Sequence, residues 1–489
     1  METIGHFGAW SVLPPVLAII LAIRTKQVYL SLILGIWMGW MIIHSGNLFT
    51  GTLATMQGLV DVFKDEGSTR TILFSGLIGA LILFIQKSGG VQGFVDWMEN
   101  RMEKLDPKKE TVFVQFFSWI TGVLIFVESN ISVLTVGTLF RPIYDRLKIS
   151  REKLAYVADS SSAPACILMP FNAWGAFIIG LLITQGIDDP FSVLFSSIKY
   201  NFYPILALLA VPMVIFFRWD FKGMKKAEER TRGGQVLNVG AQPMISESLI
   251  ESKIEEGVVP KARNMLLPIF VMVASVPLML YYTGRMASAN PQAEDFFTTM
   301  SQGSGSTAVL SAVVFSIICA FIIYKIQGIF QIRKMAEMTI KGISEMIPLA
   351  ILMLLAFAIG NVSKELNTGI YLAELTKTWL SPSLLPFLLF IISGAIAFST
   401  GTSWGTFGIM VAIAVPMARG LDAALIPAIA AILGGGIFGD HCSPISDTTI
   451  ISSMAAATDH IDHVRTQLPY ALILGITAAM GYLILGLIN

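Results

Sequence analysis

Long apolar segments separated by short polar stretches run through almost the whole chain. Two of the apolar runs, residues 111–140 and 384–418, exceed the roughly 20 residues that one helix needs to cross a bilayer. Each carries polar residues near its middle, Glu128-Ser129-Asn130 in the first and Ser399-Thr400-Gly401-Thr402-Ser403 in the second. Irregular backbone at membrane depth is tolerated only where protein buries it or where it lines a watered cavity. The pattern predicts two re-entrant hairpins with polar tips, although two short full crossings fit it equally well.

Composition agrees with this membrane pattern. Of the 489 residues, 54% are hydrophobic and 13% are charged, and the mean hydropathy is +0.70. The formal net charge is zero, so no attraction to nucleic acid is expected. The three cysteines have no paired spacing and suggest neither a disulfide framework nor a zinc site. We expect an all-α polytopic membrane protein with about 10 transmembrane helices besides the hairpins.

Lysine and arginine residues indicate the orientation of the chain. If the polar stretch 218–263 faces the cytoplasm and the chain is threaded outward from it, 26 basic residues lie inside and six outside. Cytoplasmic loops carry the excess of basic residues in membrane proteins. The expected location is therefore the cytoplasmic (inner) membrane, with several passes, both termini outside and a flexible cytoplasmic linker at 218–263.

The two halves of the chain resemble each other at an offset of about 280 residues, the register of inverted-repeat transporters. Leu30-Ser31 aligns with Leu310-Ser311, and Ser160 to Pro164 aligns with Asp440 to Pro444. An odd number of crossings in each half inverts the second half relative to the first. This predicts a first transmembrane repeat over 1–217 and a second, inverted repeat over 264–489, with broken helices near the membrane midplane.

A third polar cluster lies in the apolar run near the C-terminal end, between residues 434 and 458. It holds Asp440 and Asp447, although a charged residue costs roughly 2.5 to 3.5 kcal/mol at a membrane helix centre. Gly434 to Gly436 and Pro444 flank the acids, and such residues loosen or interrupt a helix. We therefore expect a broken helix built around a cation.

Sodium prefers carboxylate, hydroxyl and carbonyl oxygens. In the second half these come from six residues, which we take as candidate sodium ligands: Asp440, Ser443, Asp447, Thr448, Thr400 and Thr402. The competing interpretation is that the hydroxyls only cap half-helices or pack between helices. The two aspartates are the principal candidates for both sodium and proton binding, because like charges in one site favour protonation of one of them.

The first half offers similar residue types with fewer acids. Candidate site residues are Asp159 and Ser161 in one segment and Ser129 and Asn130 at the first hairpin tip. Asp159 is also a candidate proton carrier, or else a helix cap or salt-bridge partner near the cytoplasmic mouth. Glu128 has three open interpretations, as a ligand, a proton carrier or a structural partner of a basic residue.

Other motifs carry less information. His441 is expected to be a polar neighbour rather than a metal ligand, and residues 459–463 (Asp-His-Ile-Asp-His) are expected to form a solvated turn. The triple glycine lacks the Gly-Lys-Ser/Thr of a phosphate-binding loop. Without a catalytic triad pattern, an enzyme is not expected, and no cofactor is implied.

The runs Gly439 to Thr449 and Ser399 to Thr406 resemble the NhaC-type sodium/proton antiporter family. The resemblance extends from the second apolar segment to the end of the chain. It implies the fold of the ion transporter superfamily, with inverted repeats and paired hairpins, as well as sodium coupling and a homodimer. Relatives in this family include proton antiporters and sodium-coupled carriers of organic acids or amino acids.

Two functions follow as hypotheses. The first is exchange of sodium for protons by alternating access, with the ions competing for Asp440 and Asp447. The second is sodium-coupled transport of an amino acid or organic carboxylate, whose carboxylate would face the half-helix N-termini near Asn130 and Thr402. No buried arginine near the tips is visible in the sequence, which favours the first. Membrane lipids are the other expected partners, and nucleic acid is excluded.

Overall fold

The computed structural model describes residues 7–25, 27–102, 107–243, 255, 257–287, 296–376 and 380–488. Within these ranges the chain is helical and contains no β-strand, only a single bridge between Pro243 and Asp459. The helices of the first half are α1 (Leu13–Thr25), α2 (Val28–Ile43), α3 (Leu48–Val62), α4 (Glu66–Lys87), α5 (Gly90–Met102), α6 (Pro107–Leu124), α7 (Ser129–Arg146), α8 (Arg151–Leu168), α9 (Ala173–Thr184), α10 (Pro190–Ser197), α11 (Phe202–Phe217) and α12 (Lys222–Arg232).

The second half repeats part of this order of elements. Its helices are α13 (Arg263–Ala287), α14 (Phe296–Ser301), α15 (Gly305–Ile326), α16 (Ile332–Glu345), α17 (Ile347–Glu365), α18 (Thr368–Thr376), α19 (Leu385–Thr400), α20 (Ser403–Gly420), α21 (Leu425–Cys442), α22 (Asp447–Ala455) and α23 (His460–Ile488). Short 3₁₀ turns lie at Gly8–Val12, Ile198–Tyr200 and Pro382–Leu384.

The all-helical membrane fold predicted from the sequence is confirmed. Seven helices of the described chain are long and apolar enough to span a membrane, and two bent helix pairs raise the number to nine. The bent pairs are α8 with α9, at 42°, and the 190–200 segment with α11, at 50°. The figure of about 10 expected from hydropathy is higher because several apolar segments are short or broken.

Both long apolar runs break where polar residues interrupt them. Helix α6 ends at Leu124 and α7 begins at Ser129, while α19 ends at Thr400 and α20 begins at Ser403. The two breaks occupy the same place in the order of elements, since α4 to α9 match α17 to α22 one for one. Inversion of the second half and the domain boundaries at 217 and 264 remain predictions.

The predicted constant offset of 280 residues holds only in part. Glu66 and Ile347, which begin α4 and α17, are 281 residues apart, whereas Ser129 and Ser403, which begin α7 and α20, are 274 apart. The offset shortens because the second hairpin has the tighter break and because α17 and α19 are shorter than α4 and α6. As a result the counterpart of Pro444 by element order is Pro170, not Pro164, which lies inside the continuous helix α8.

The expectation that Gly434 to Gly436 interrupt a helix is wrong, because α21 runs unbroken through all three. These glycines instead allow close packing. A Cβ on Gly435 would lie 2.4 Å from the carbonyl oxygen of Phe390, and one on Gly439 would lie 2.1 Å from that of Gly394. Backbones of α19 and α21 therefore touch directly, as small residues permit between membrane helices.

The first part of the linker 218–263 differs from the flexible segment expected. Helix α12 packs on α8 and α23, with Met224 and Ala227 buried. Lys153 Nζ lies 2.8 Å from Asp220 Oδ1, and Arg230 Nη2 lies 2.8 Å from Glu152 Oε1. Hydropathy analysis could not predict these buried ion pairs, because it assigns charged residues to solvent. Residues 244–254 and 256 lie outside the described residues.

Candidate functional site

The first hairpin tip is fixed by side chains from the bent pair α8 and α9. Cys166 Sγ donates to the carbonyl oxygen of Phe126 at 3.2 Å, and Asn172 Nδ2 donates to the same oxygen at 2.8 Å. Asn172 also caps α9, accepting from the N–H of Gly175. The break between α6 and α7 is therefore ordered, and Glu128 and Asn130 have defined positions at its end.

The second hairpin tip turns through Gly401. This glycine has φ of +69°, and a Cβ there would lie 2.3 Å from the carbonyl oxygen of Ile445. Only glycine avoids both the left-handed strain and the clash. Thr400 and Thr402 flank the turn, and Ser403 begins α20 and donates from Oγ to Asp440 Oδ2 at 3.1 Å. The tip thus contacts the broken helix directly.

Residues 443–446 form the break between α21 and α22, as Pro444 predicts. Ser443 Oγ donates to the carbonyl oxygen of Phe398 at 2.7 Å, and Ser446 Oγ caps α22 by accepting from the N–H of Thr449. Asp447 is the first residue of α22, and its Oδ1 accepts from the N–H of Thr448 at 2.8 Å. A carboxylate at a helix N-terminus is favourably placed.

The two tips and this break meet at one cavity of about 450 Å³. Its polar lining comes from four predicted site residues (Asn130, Thr400, Thr402 and Asp447), together with Glu128 and with Gln27, Tyr29 and Glu345, which the sequence analysis missed. Three of the lining side chains are carboxylates, and no lysine, arginine or histidine of the described chain lines the cavity. The electrostatics favour a cation over an anion.

Asp440 lies at the end of α21 and is 1% exposed. Its Oδ2 accepts from Ser403, whereas its Oδ1 has no hydrogen-bond partner among the described residues. Asn130 Oδ1 at the first tip is a second buried acceptor in the same situation. Acceptor oxygens that face inward without donors are the groups that a cation satisfies.

Asp159 from the first half lies in the same polar cluster and is fully buried. Its Oδ2 accepts from Gln467 Nε2 at 2.6 Å and from Thr449 Oγ1 at 3.1 Å. Its Oδ1 lies 3.8 Å from His441 Nε2 and has no hydrogen-bond partner among the described residues. Asp159 therefore lies inside α8 rather than at its cap, and it joins both halves of the chain within this cluster. Its part in ion binding remains a prediction.

His441 behaves as the polar neighbour that was expected. Its Nε2 donates to the carbonyl oxygen of Asp159 at 3.1 Å, and its Nδ1 accepts from the hydroxyl of Tyr203 at 3.1 Å. No group of three histidine, cysteine or acidic side chains within the described residues is arranged to hold a metal ion. The oxygen atoms described above are hard ligands that suit sodium as a transported ion.

The expectation of a solvated turn at residues 459–463 is wrong at His463, which is fully buried. Its Nε2 donates to Gln467 Oε1 at 3.0 Å, and its Nδ1 lies 2.9 Å from Ser453 Oγ. Ser453 Oγ also lies 3.0 Å from Nδ1 of the half-buried His460. A continuous row of polar side chains thus connects Asp159 with the start of α23.

Six of the ten predicted site residues do not line the cavity: the two buried aspartates Asp440 and Asp159 described above, and four hydroxyl residues. Ser161 packs against Gly122 and donates to the carbonyl oxygen of Ala158. Ser129 donates to Oε1 of the neighbouring Glu128 at 3.4 Å. Ser443 connects the helix break to α19 through its hydrogen bond to Phe398. Thr448 Oγ1 bonds Ser446 Oγ within the break. For these four hydroxyls the capping and packing interpretation fits the contacts.

Comparison with known proteins identifies the family of this chain. A model of the Na+/H+ antiporter family matches residues 165–487, about two thirds of the chain. The chain belongs to the Na+/H+ antiporter family. Members of this family are transporters rather than enzymes, and the match covers both α21 and α22 with their break and the second hairpin.

Several relatives of this antiporter family are similar in sequence. An uncharacterized protein of Haemophilus influenzae is 33% identical over 99% of this chain and 92% of its own length. A protein of the same organism described as an uncharacterized Na(+)/H(+) antiporter is 37% identical over 22% of this chain and 23% of its own. The malate-2H(+)/Na(+)-lactate antiporter of Bacillus subtilis is 37% identical over 18% of this chain and 19% of its own.

The antiporter fold is also similar to a solved transporter structure. The YdaH transporter of Alcanivorax borkumensis superimposes with a TM-score of 0.57, covering 89% of this chain and 88% of that one. Sequence identity is 13%, so the similarity is one of fold. The protein is accordingly a multi-pass membrane protein and a secondary transporter.

Proposed function

We propose that this protein exchanges sodium for protons across the cytoplasmic membrane by alternating access. One observation carries the proposal: the buried carboxylate of Asp440 keeps an oxygen without a donor beside the helix break that also presents Asp447. Membership of the Na+/H+ antiporter family supports it.

Charge explains how one site can couple the two flows. Asp440, Asp447 and Asp159 lie within electrostatic range of one another, and buried like charges are strongly unfavourable without counter-ions. Either a sodium ion or a proton reduces this cost, but both compete for the same oxygens. Competition makes release of protons accompany binding of sodium, with no third ligand.

The cavity supplies the route to that site. Thr400, Thr402 and Asn130 stand at the ends of helices that break inside the protein, where backbone carbonyls and amides are free to face an ion. Glu128, Glu345 and Asp447 concentrate cations at this point. Alternating access then requires the cavity to close and an opposite opening to form.

The alternative is sodium-coupled transport of an amino acid or organic carboxylate. The size of the cavity is the reason to retain this alternative. A volume of about 450 Å³ exceeds that of a dehydrated sodium ion, and the B. subtilis relative is named for malate and lactate. The cavity is lined by three carboxylates and by no basic side chain of the described chain, so its charge disfavours binding of a dicarboxylate. Within this class, a substrate with an amino group fits the charge better.

The decisive experiment uses proteoliposomes that contain only this protein. A sodium gradient is imposed with no organic solute, and lumenal pH is recorded for the wild type, Asp440→Asn and Asp422→Asn. We expect a sodium-driven pH change in the wild type and in Asp422→Asn, a matched control in the α20–α21 loop, and none in Asp440→Asn. If wild-type vesicles show no pH change but take up amino acids or carboxylates with sodium, the alternative is correct.

A further inference from the structure

A second cavity, of about 400 Å³, lies away from the acidic one, where α6, α7, α8 and α11 meet the linker helix α12. Its charged lining consists of four basic residues and two acids: Lys148, Lys153, Arg218, Arg232, Asp220 and Glu228. The sign of the charge is thus opposite to that of the transport cavity.

The two acids are already paired. Asp220 accepts from Lys153 at 2.8 Å, and Glu228 lies 3.5 Å from Arg232 while also accepting from the N–H and hydroxyl of Ser150. Lys148 and Arg218 are exposed and form no ion pair within the described part of the chain. The cavity therefore carries two uncompensated positive charges.

Backbone conformation marks the same two residues. Lys148 has φ of +55° and Arg218 has φ of +53°, each just after the end of a helix. Glycine is the usual residue at such left-handed positions, because a side chain there is strained. The chain thus places long basic side chains where a small residue would be more stable.

The surroundings indicate the depth of the cavity in the bilayer. Phe216, Phe217, Trp219 and Phe221 precede and follow Arg218, and all four rings are exposed, between 41% and 64%. Exposed aromatic side chains next to basic ones are typical of the membrane interface. At that level, basic pockets between membrane helices bind anionic headgroups.

We propose that this cavity binds the phosphodiester of an anionic membrane lipid, with Lys148 and Arg218 as its ligands. Gln115 suggests the rest of the headgroup, because its side chain is 5% exposed, lines the cavity and leaves Oε1 without a donor among the described residues. A hydroxyl on the headgroup satisfies that oxygen. The class of ligand is therefore a phospholipid with a hydroxyl-bearing headgroup, such as phosphatidylglycerol. Its occupancy stabilises α12 on α8, independently of which solute is transported.

The test measures lipid retention by native mass spectrometry and thermal unfolding of the detergent-purified full chain. Phosphatidylglycerol, phosphatidylcholine, inorganic phosphate and glycerol 3-phosphate are added separately. We expect phosphatidylglycerol to be retained at least tenfold better than phosphatidylcholine and to raise the unfolding temperature, with no equal effect of the soluble anions. A full effect of the soluble anions would assign the site to a free phosphate and overturn the lipid source.

Variants locate the binding. The double variant Lys148→Gln/Arg218→Gln should lose the preference, whereas Lys225→Gln/Lys226→Gln removes the same charge from the exposed face of α12 and should keep it. Equal loss in both doubles, or no loss in the first, would overturn the proposal. If the first double variant fails to fold, the wild-type comparison decides alone, and equal retention of the two lipids refutes the site.

Discussion

The side-chain amide of Gln467, near the start of the last helix, donates to Asp159 Oδ2 from the first half of the chain at 2.6 Å. The same amide nitrogen lies 3.0 Å from the carbonyl oxygen of His441. One residue of α23 thus ties α8 to the end of α21, next to Asp440.

Gln467→Leu should weaken the fold and the ion site together. Hydrogen bonds to charged groups contribute about 1.5–3 kcal/mol, and the variant leaves the Asp159 carboxylate with Thr449 as its one donor among the residues that the structure describes. We expect a lower unfolding temperature and a smaller stabilisation by sodium, measured by thermal unfolding in detergent. Thr477→Val, on an exposed part of the same helix, should change neither. A Gln467→Leu variant with the full sodium effect would separate Asp159 from the site.

Asp447→Asn should weaken sodium binding without unfolding the protein. This carboxylate faces the cavity, and its backbone contact to Thr448 can be kept by asparagine. A loss of about tenfold in affinity, equivalent to about 1.4 kcal/mol, is expected in the sodium dependence of transport, together with an altered pH dependence. Unchanged profiles would demote Asp447 to a helix-capping residue.

Gly401→Ala tests the contact between the second hairpin tip and the helix break. Gly328 supplies a matched control, since it has the same φ of +69° but no atom within 4 Å of an added Cβ. Both alanine variants incur left-handed strain of about 1 kcal/mol, while only Gly401→Ala also meets the Ile445 carbonyl. We expect a much larger fall in unfolding temperature and transport for Gly401→Ala. Similar losses in the two variants would mean that the tip tolerates displacement.

The buried pair between Lys153 of α8 and Asp220 of the linker should matter more than an exposed pair within α12. Their side chains are 4% and 10% exposed, against 67% and 62% for Lys225 and Glu229. Removing one partner of a buried pair costs about 3–5 kcal/mol, while an exposed pair is worth about 0–1 kcal/mol. Lys153→Met should therefore destabilise the protein strongly and Lys225→Met very little in chemical unfolding. Equal effects would show that α12 is only loosely attached.

Asp459 lies outside the membrane spans and should make the stability of the protein depend on pH. Burial raises the pKa of its carboxyl, but hydrogen bonds from the N–H groups of Gln242, Asp462 and Ile461 outweigh this and lower the pKa below its ordinary value. A lowered pKa means that the stabilising effect is complete above about pH 4, the ordinary aspartate value, and is lost as pH falls further. The difference in unfolding temperature between wild type and Asp459→Ala should be larger at pH 6 than near pH 3. A difference independent of pH would exclude the charged contacts.

The hairpin tips and Asp447 were predictable because polar residues inside apolar runs have few uses other than a site. The prediction that Gly434 to Gly436 break a helix was wrong. In sequence, a glycine that permits close helix contact cannot be distinguished from one that breaks a helix, because the difference depends on the neighbouring helix. Gln467 could not be found, because its partner Asp159 lies 308 residues away in the chain. His463 was missed because the turn that brings it back to Ser453, ten residues earlier, is not visible in hydropathy. Contacts between the two halves depend on the tertiary structure, so local hydropathy cannot predict them.

The direct backbone contact between α19 and α21 limits how the protein can move. At Gly435 against Phe390 and at Gly439 against Gly394 the backbones of the two helices lie in direct contact, so sliding one helix past the other would bring main-chain atoms into collision. Helix α19 of the second hairpin and helix α21, which carries Asp440, must then move together as a rigid unit. Any change that exposes the ion to the other side of the membrane has its hinge elsewhere, and cross-links between α19 and α21 should leave transport intact.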